Sequence, residues 1–153
     1  MRRCRLTIAI LCWIFASAVF GTDKTSFNLG YFNGLALNGY DVMSYWRGGI
    51  PMKGSDSFKL EYAGATWIFS SSQNLEAFVA EPEKYAPQYG GFCAYAAAQG
   101  QLSDVDPFAW RIWKGRLYLN YSPRVRRIWA NEIDANIEKG NQNWPGLNPA
   151  NNP

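Results

Sequence analysis

The sequence contains no histidine, and that absence removes more chemistry than any single residue adds. Ser-His-Asp and Cys-His catalysis both need an imidazole base, so both are excluded. Cysteine is nearly as scarce. Cys4, Cys12 and Cys93 are the only three, no Cys-x-x-Cys pair occurs, and one chain cannot close a four-ligand structural zinc site. There is no covalent c-type haem motif, and Gly90-Gly91 has neither the spacing nor the following lysine of a phosphate loop.

The amino end reads as a targeting segment. Arg2, Arg3 and Arg5 precede an apolar run from Leu6 to Phe20, which is shorter than the roughly 20 residues of a membrane span. Ala16-Ser17-Ala18 offers a cleavage site after Ala18, with an alternative after Gly21. Residues 1–21 are therefore expected to be a secretory signal peptide. The mature protein is expected in the periplasm or outside the cell, without a stable membrane span. Cleavage would remove Cys4, Cys12 and three arginines. With 15 Lys+Arg against 12 Asp+Glu in the whole chain, the remainder is formally neutral. Nucleic-acid binding needs clustered positive charge, so that class of partner is not expected. Cys93 would then be the only thiol. An unpaired thiol in an oxidising compartment is expected to be reactive, metal-bound or dimer-forming.

With no disulfide available, stability must come from packing. Aromatic residues make up 16% of the chain, and each one buried removes about 150–250 Å² from water. Residues 22–37 read as a loosely ordered lead segment, and Tyr40 to Trp46 as a short strand or turn. Phe58, Leu60 and Tyr62 alternate with Lys59 and Glu61, and Ala63-Gly64 then turns the chain into Trp67 and Phe69, predicting a β-hairpin. The serines at 70–72 can cap a helix presenting Leu75, Phe78 and Val79. Phe92 to Gln99 is alanine-rich enough to be helical. Asp106-Pro107 reads as a cap and first helical position. Trp110–Ile112 and Leu117–Leu119 flank Lys114-Gly115 as a second hairpin. Ser122-Pro123 opens a helix to about Lys139, and residues 146–153 are expected to be a disordered tail. The expected fold class is α+β, a small single domain over residues 38–145 with two β-hairpins packed against short helices.

Cys93 is the residue on which chemistry can centre. It stands just after the Gly90-Gly91 bend, at the predicted start of the helix. Unpaired backbone N–H groups there favour a thiolate, the form that binds metal and attacks disulfides. The competing account is a buried cysteine acting as a small hydrophobe among Phe92, Tyr95 and the alanines. Asp41 fits either a hard co-ligand or a turn acceptor. Met43 and Met52 carry soft thioethers suited to Cu(I), or they fill space.

A resemblance adds to this. Asn38-Gly39-Tyr40-Asp41, Gly64-Ala65-Thr66-Trp67-Ile68-Phe69 and the block Pro82 to Tyr95, ending in Gly-Gly-Phe-Cys-Ala-Tyr, occur in that order. Gly115 to Tyr121 and Asn143-Trp144-Pro145 follow. The series resembles the exported bacterial YHS-domain proteins, related to the small YHS and TRASH metal-associated modules, over about residues 38–145. It implies a YHS-like fold. Because related modules accompany copper and heavy-metal transport proteins, it also implies a soft metal such as Cu(I) at Cys93. Some members carry selenocysteine where Cys93 stands, which implies thiol or selenol redox chemistry. Tyr40, Asp41, Tyr85, Tyr89 and Tyr95 lie in the matching motifs, and Tyr40, Tyr89 and Tyr95 are candidates to line a bound group. Small metal-sensing modules offer several cysteines, however, whereas the expected mature part of this chain offers one.

Three functions stay open on this basis. The first is a non-enzymatic soft-metal binding module using Cys93, with Asp41, Met43 or a second copy's Cys93 completing the shell in a homodimer. The second is a single-cysteine redox protein that relies on an external thiol partner. The third is a non-catalytic structural or interaction domain.

Overall fold

The computed structural model describes residues 24–30 and 34–151. The expected signal peptide lies outside the described residues. The architecture is α+β, with two antiparallel hairpins and short helices between and after them.

The first departure from expectation is at Tyr40–Trp46. Here the chain forms α1 (Val42–Arg47) rather than a strand, because Asp41 caps it and accepts a hydrogen bond from Met43 N. The first hairpin pairs β1 (Ser55–Tyr62) with β2 (Ala65–Phe69), in the register Leu60 to Trp67 and Tyr62 to Ala65. Its turn residues Ala63 and Gly64 both have positive φ, the geometry that matches the twist of a two-residue hairpin. The second hairpin repeats this solution at Lys114 and Gly115, joining β3 (Asp106–Trp113) to β4 (Arg116–Asn120). Asp106-Pro107 therefore begins a strand and does not cap a helix. Proline is tolerated there because the register shifts between Asp106 and Trp110.

Ser71 caps α2 (Ser72–Ala80) by accepting from Asn74 N. Phe78 points into the core as expected, whereas Val79 is half exposed. A one-turn helix, α3 (Pro82–Tyr85), leads to a tight 3-10 turn at Gln88–Gly91 and then to α4 (Ala94–Ala98). Gly90 is required in that turn, because it has φ +58° and an added Cβ would collide with the backbone of Ser26. The lead segment is tied to the same turn through Asn28 N to Gly90 O at 2.8 Å.

Ser122 caps α5 (Pro123–Asn131) as expected, accepting from Val125 N. The single helix expected to Lys139 is two helices. The backbone breaks at Glu132, and α6 (Ile133–Leu147) continues through Pro145. The segment from 146, expected to be disordered, is helical to Leu147 and then turned, with Asn151 N bonded to Asn148 O. Two apolar clusters result. One gathers Trp67, Phe69, Phe78, Tyr45, Met43, Leu117, Leu119 and Cys93. The other holds Tyr89, Ala94, Ala97, Tyr118 and Trp129. Strand β4 alternates between them and joins the two halves.

Candidate functional site

The loop before α4 runs alongside β4, with isolated parallel bridges from Pro87 to Leu117 and from Cys93 to Leu119. This pairing brings Cys93, whose N–H donates to Ser103 O at 3.0 Å, against the carboxyl end of β4. Cys93 is 1% exposed, but its sulfur lies among polar groups. Sγ accepts from Ala96 N at 3.5 Å, which makes Cys93 the cap of α4, and from Tyr121 N at 3.3 Å. The thiol can donate to Asn120 Oδ1 at 3.8 Å, and that oxygen also accepts from Tyr95 N at 3.2 Å.

Asn120 is fully buried, and its Nδ2 has no hydrogen-bond partner among the described residues. Leaving a buried amide donor unmatched costs about 1–3 kcal/mol, so its presence beside the one sulfur is informative. The polar groups around Sγ are mostly N–H donors, and these suit negative charge or an added acceptor atom.

The sequence-predicted companions lie elsewhere. Asp41 is fully buried and saturated. Its Oδ1 accepts from Met43 N at 2.8 Å. Its Oδ2 accepts from Ser70 N at 2.8 Å, Ser70 Oγ at 2.6 Å and Asn74 Nδ2 at 2.6 Å. This is the turn-acceptor alternative, extended into a tertiary anchor. Met43 is a core residue at 2% exposure, and Met52 is on the surface. Tyr40 packs beneath Lys53 Nζ, 4.1 Å from its ring centre, and edge-on to Phe108. The Tyr89 hydroxyl lies 3.1 Å from both Ile137 O and Asn141 Oδ1, which share its one proton, and burial pushes its pKa up. The Tyr85 hydroxyl faces Glu81. Only Tyr95 adjoins the cysteine, through its backbone. Among the described residues, no three His, Cys, Asp or Glu side chains form a group able to hold a metal ion.

Sequence reasoning missed Asn120 and the Tyr121 amide. The available signal was a polar residue closing the apolar run Leu117-Tyr118-Leu119, in a position a core strand rarely gives to asparagine without a partner.

A family model for the YHS domain matches residues 43–89. Residues 43–89 carry a YHS domain. The matched segment runs from α1 through the first hairpin to the Tyr89 turn, and it ends before Cys93. The YHS domain is associated with heavy metals, so the match is consistent with metal binding in general. No curated protein and no solved structure matches the chain significantly. Among the described residues, no helix is long and apolar enough to cross a membrane.

Proposed function

We propose that this is an exported YHS-domain protein whose working group is the Cys93 thiol, a single-cysteine redox centre that completes its cycle with an external thiol. The supporting observation is the set of donors around one sulfur: two backbone N–H groups on Sγ, and the unmatched Nδ2 of fully buried Asn120 on the amide that faces it. A sulfenate oxygen supplies the acceptor this arrangement lacks.

The chemistry balances with a peroxide as oxidant. The thiolate sulfur attacks one peroxide oxygen, the O–O bond breaks, hydroxide leaves and sulfur is oxidised by two electrons. An external thiol then condenses with the sulfenic acid, releasing water and forming a mixed disulfide. A second external thiol displaces Cys93 from it. Because Cys93 is 1% exposed, the reaction needs a local opening of α4 against β4.

Soft-metal binding is the second reading, and it rests on the association of the YHS domain with heavy metals. The donor set does not fit a closed site. Cys93 supplies one soft ligand, Asp41 has no free carboxylate oxygen, and Met43 is packed in the core.

The test is mass spectrometry of the folded protein after mild peroxide treatment. The expected product carries one added oxygen at Cys93, returns to the thiol with an external thiol, and is absent in Cys93→Ser. Oxidation proceeding only at the rate of global unfolding would refute the redox reading. A single copper ion retained by the native protein and lost in Cys93→Ser would favour the metal reading instead.

A further inference from the structure

A second constellation lies away from the cysteine. A cleft of about 450 Å³ opens between the tip of the second hairpin and α6, lined among others by Trp113, Arg116, Tyr118, Asp134 and Asn141. None of these residues bonds the Cys93 sulfur.

The charges in the cleft do not cancel. Asp134 Oδ1 accepts from Trp113 Nε1 and Lys114 Nζ, each at 2.9 Å, so that carboxylate and that ammonium neutralise one another. Arg116 has no acidic partner among the described residues. Its Nη1 donates to the neutral Gln88 Oε1 at 2.9 Å, and its positive charge reaches the phenols of both Tyr89 and Tyr118.

The hydrogen-bonding capacity is equally one-sided. Tyr118 is 3% exposed, yet its hydroxyl lines the cleft without a hydrogen-bond partner among the described residues. Asn141 turns its carbonyl to Tyr89 and Gln88 turns its carbonyl to Arg116, which leaves both amide NH2 groups free of protein acceptors among the described residues and open to solvent or a ligand. A phenol and two amides therefore line the cleft, together with two cationic side chains, Lys114 and Arg116, against the one carboxylate of Asp134. Trp113 adds an aromatic wall.

We propose that this cleft binds a small organic carboxylate, its oxygens held by Arg116 and the Tyr118 hydroxyl and its apolar body against Trp113. The planar guanidinium matches a carboxylate in two parallel hydrogen bonds. Inorganic phosphate is the competing oxyanion, since a guanidinium pairs with it in two hydrogen bonds as well; the aromatic wall of Trp113 favours a ligand with an apolar body.

The experiment is a titration of the intact protein with benzoate, followed by NMR at the Trp113 indole N–H and the backbone amides of Arg116 and Tyr118. Benzamide serves as the neutral isostere. Saturable shifts with benzoate are expected. Arg116→Ala, which alters an exposed side chain, should weaken binding about tenfold, and Tyr118→Phe about threefold to tenfold. Benzamide should bind at least about tenfold more weakly than benzoate. Absence of saturable shifts, equal affinity in Arg116→Ala, or benzamide binding as tightly as benzoate would each overturn the proposal. Inorganic phosphate binding more tightly than benzoate at the same signals would overturn the carboxylate assignment.

Discussion

Replacing Asp41 with alanine separates an architectural carboxylate from a metal ligand. The wild-type carboxylate accepts four hydrogen bonds, from Met43 N, Ser70 N, Ser70 Oγ and Asn74 Nδ2, in a position with no solvent exposure. Asp41→Ala strands three of these donors, since the Ser70 hydroxyl can rotate. Each stranded buried donor costs about 1–3 kcal/mol, and water entering the vacated space recovers part of that. A net loss of about 3–5 kcal/mol follows. For a domain of this size each kcal/mol lowers Tm by about 3–5 °C, so a drop on the order of 10–20 °C is expected by circular dichroism. Asp41→Asn should lose less, because Oδ1 can still serve Met43 N while the new NH2 opposes only Ser70 N and Asn74 Nδ2. A Tm within about 3 °C of wild type for Asp41→Ala would refute the anchoring role. A normally stable Asp41→Ala protein that had lost a bound metal would restore the ligand role.

Other perturbations probe the rest of the fold. Phe78 is fully buried between Trp67 (5.0 Å between ring centres) and Phe69 (5.4 Å). Phe78→Ala should cost about 3–5 kcal/mol, measured by urea unfolding. A Cβ added at Gly140 would stand 2.6 Å from the Tyr89 hydroxyl oxygen, so Gly140→Ala should displace that ring and cost about 1–3 kcal/mol. Unchanged stability would mean that α6 does not press on Tyr89. At alkaline pH, burial raises the pKa of Tyr45, Tyr89 and Tyr118. These phenols stay protonated in the folded state after the unfolded chain has begun to ionise near pH 10. Stability should therefore be flat below about pH 10 and fall above it, by up to about 1.4 kcal/mol per pH unit for Tyr45. A denaturation midpoint independent of pH from 9 to 11.5 would contradict this.

Much of the fold was legible because its signals are local. The two hairpins were visible from strand alternation and from Ala63-Gly64 and Lys114-Gly115, since a two-residue turn with positive φ leaves few alternatives. Ser71 and Ser122 announced their helices by short side-chain caps. The misread elements depend on tertiary context. The Tyr40–Trp46 segment has strand composition, but Asp41 is held by Ser70 and Asn74, and that anchored carboxylate caps the first turn of a helix. Asp106-Pro107 looked like a helix start because local rules do not register the shift that admits proline to β3. The break at Glu132 carries neither glycine nor proline. Cys93 could be singled out by elimination. Its surroundings could not, because Asn120 and the Tyr121 amide reach it only through the pairing of a loop with β4 across the domain.

That pairing bears on which chemistry the cysteine can support. A soft metal ion needs at least a second electron-pair donor near the sulfur. The groups that meet Sγ are instead the N–H of Ala96, the N–H of Tyr121 and the amide of Asn120, whose oxygen is already shared with Tyr95 N. N–H dipoles aimed at sulfur stabilise a thiolate, which serves metal binding and peroxide attack alike, so the distinction rests on the missing second electron-pair donor. The Asn120 Nδ2, buried on the same amide, has no partner among the described residues. Asn120→Leu sharpens the distinction. It removes the unmatched donor, and with it the Oδ1 that accepts from Tyr95 N, without adding charge, so it should shorten the lifetime of oxidised Cys93, measured by dimedone trapping, while leaving any affinity for Cu(I) nearly unchanged. The reverse pattern would return the cysteine to metal chemistry.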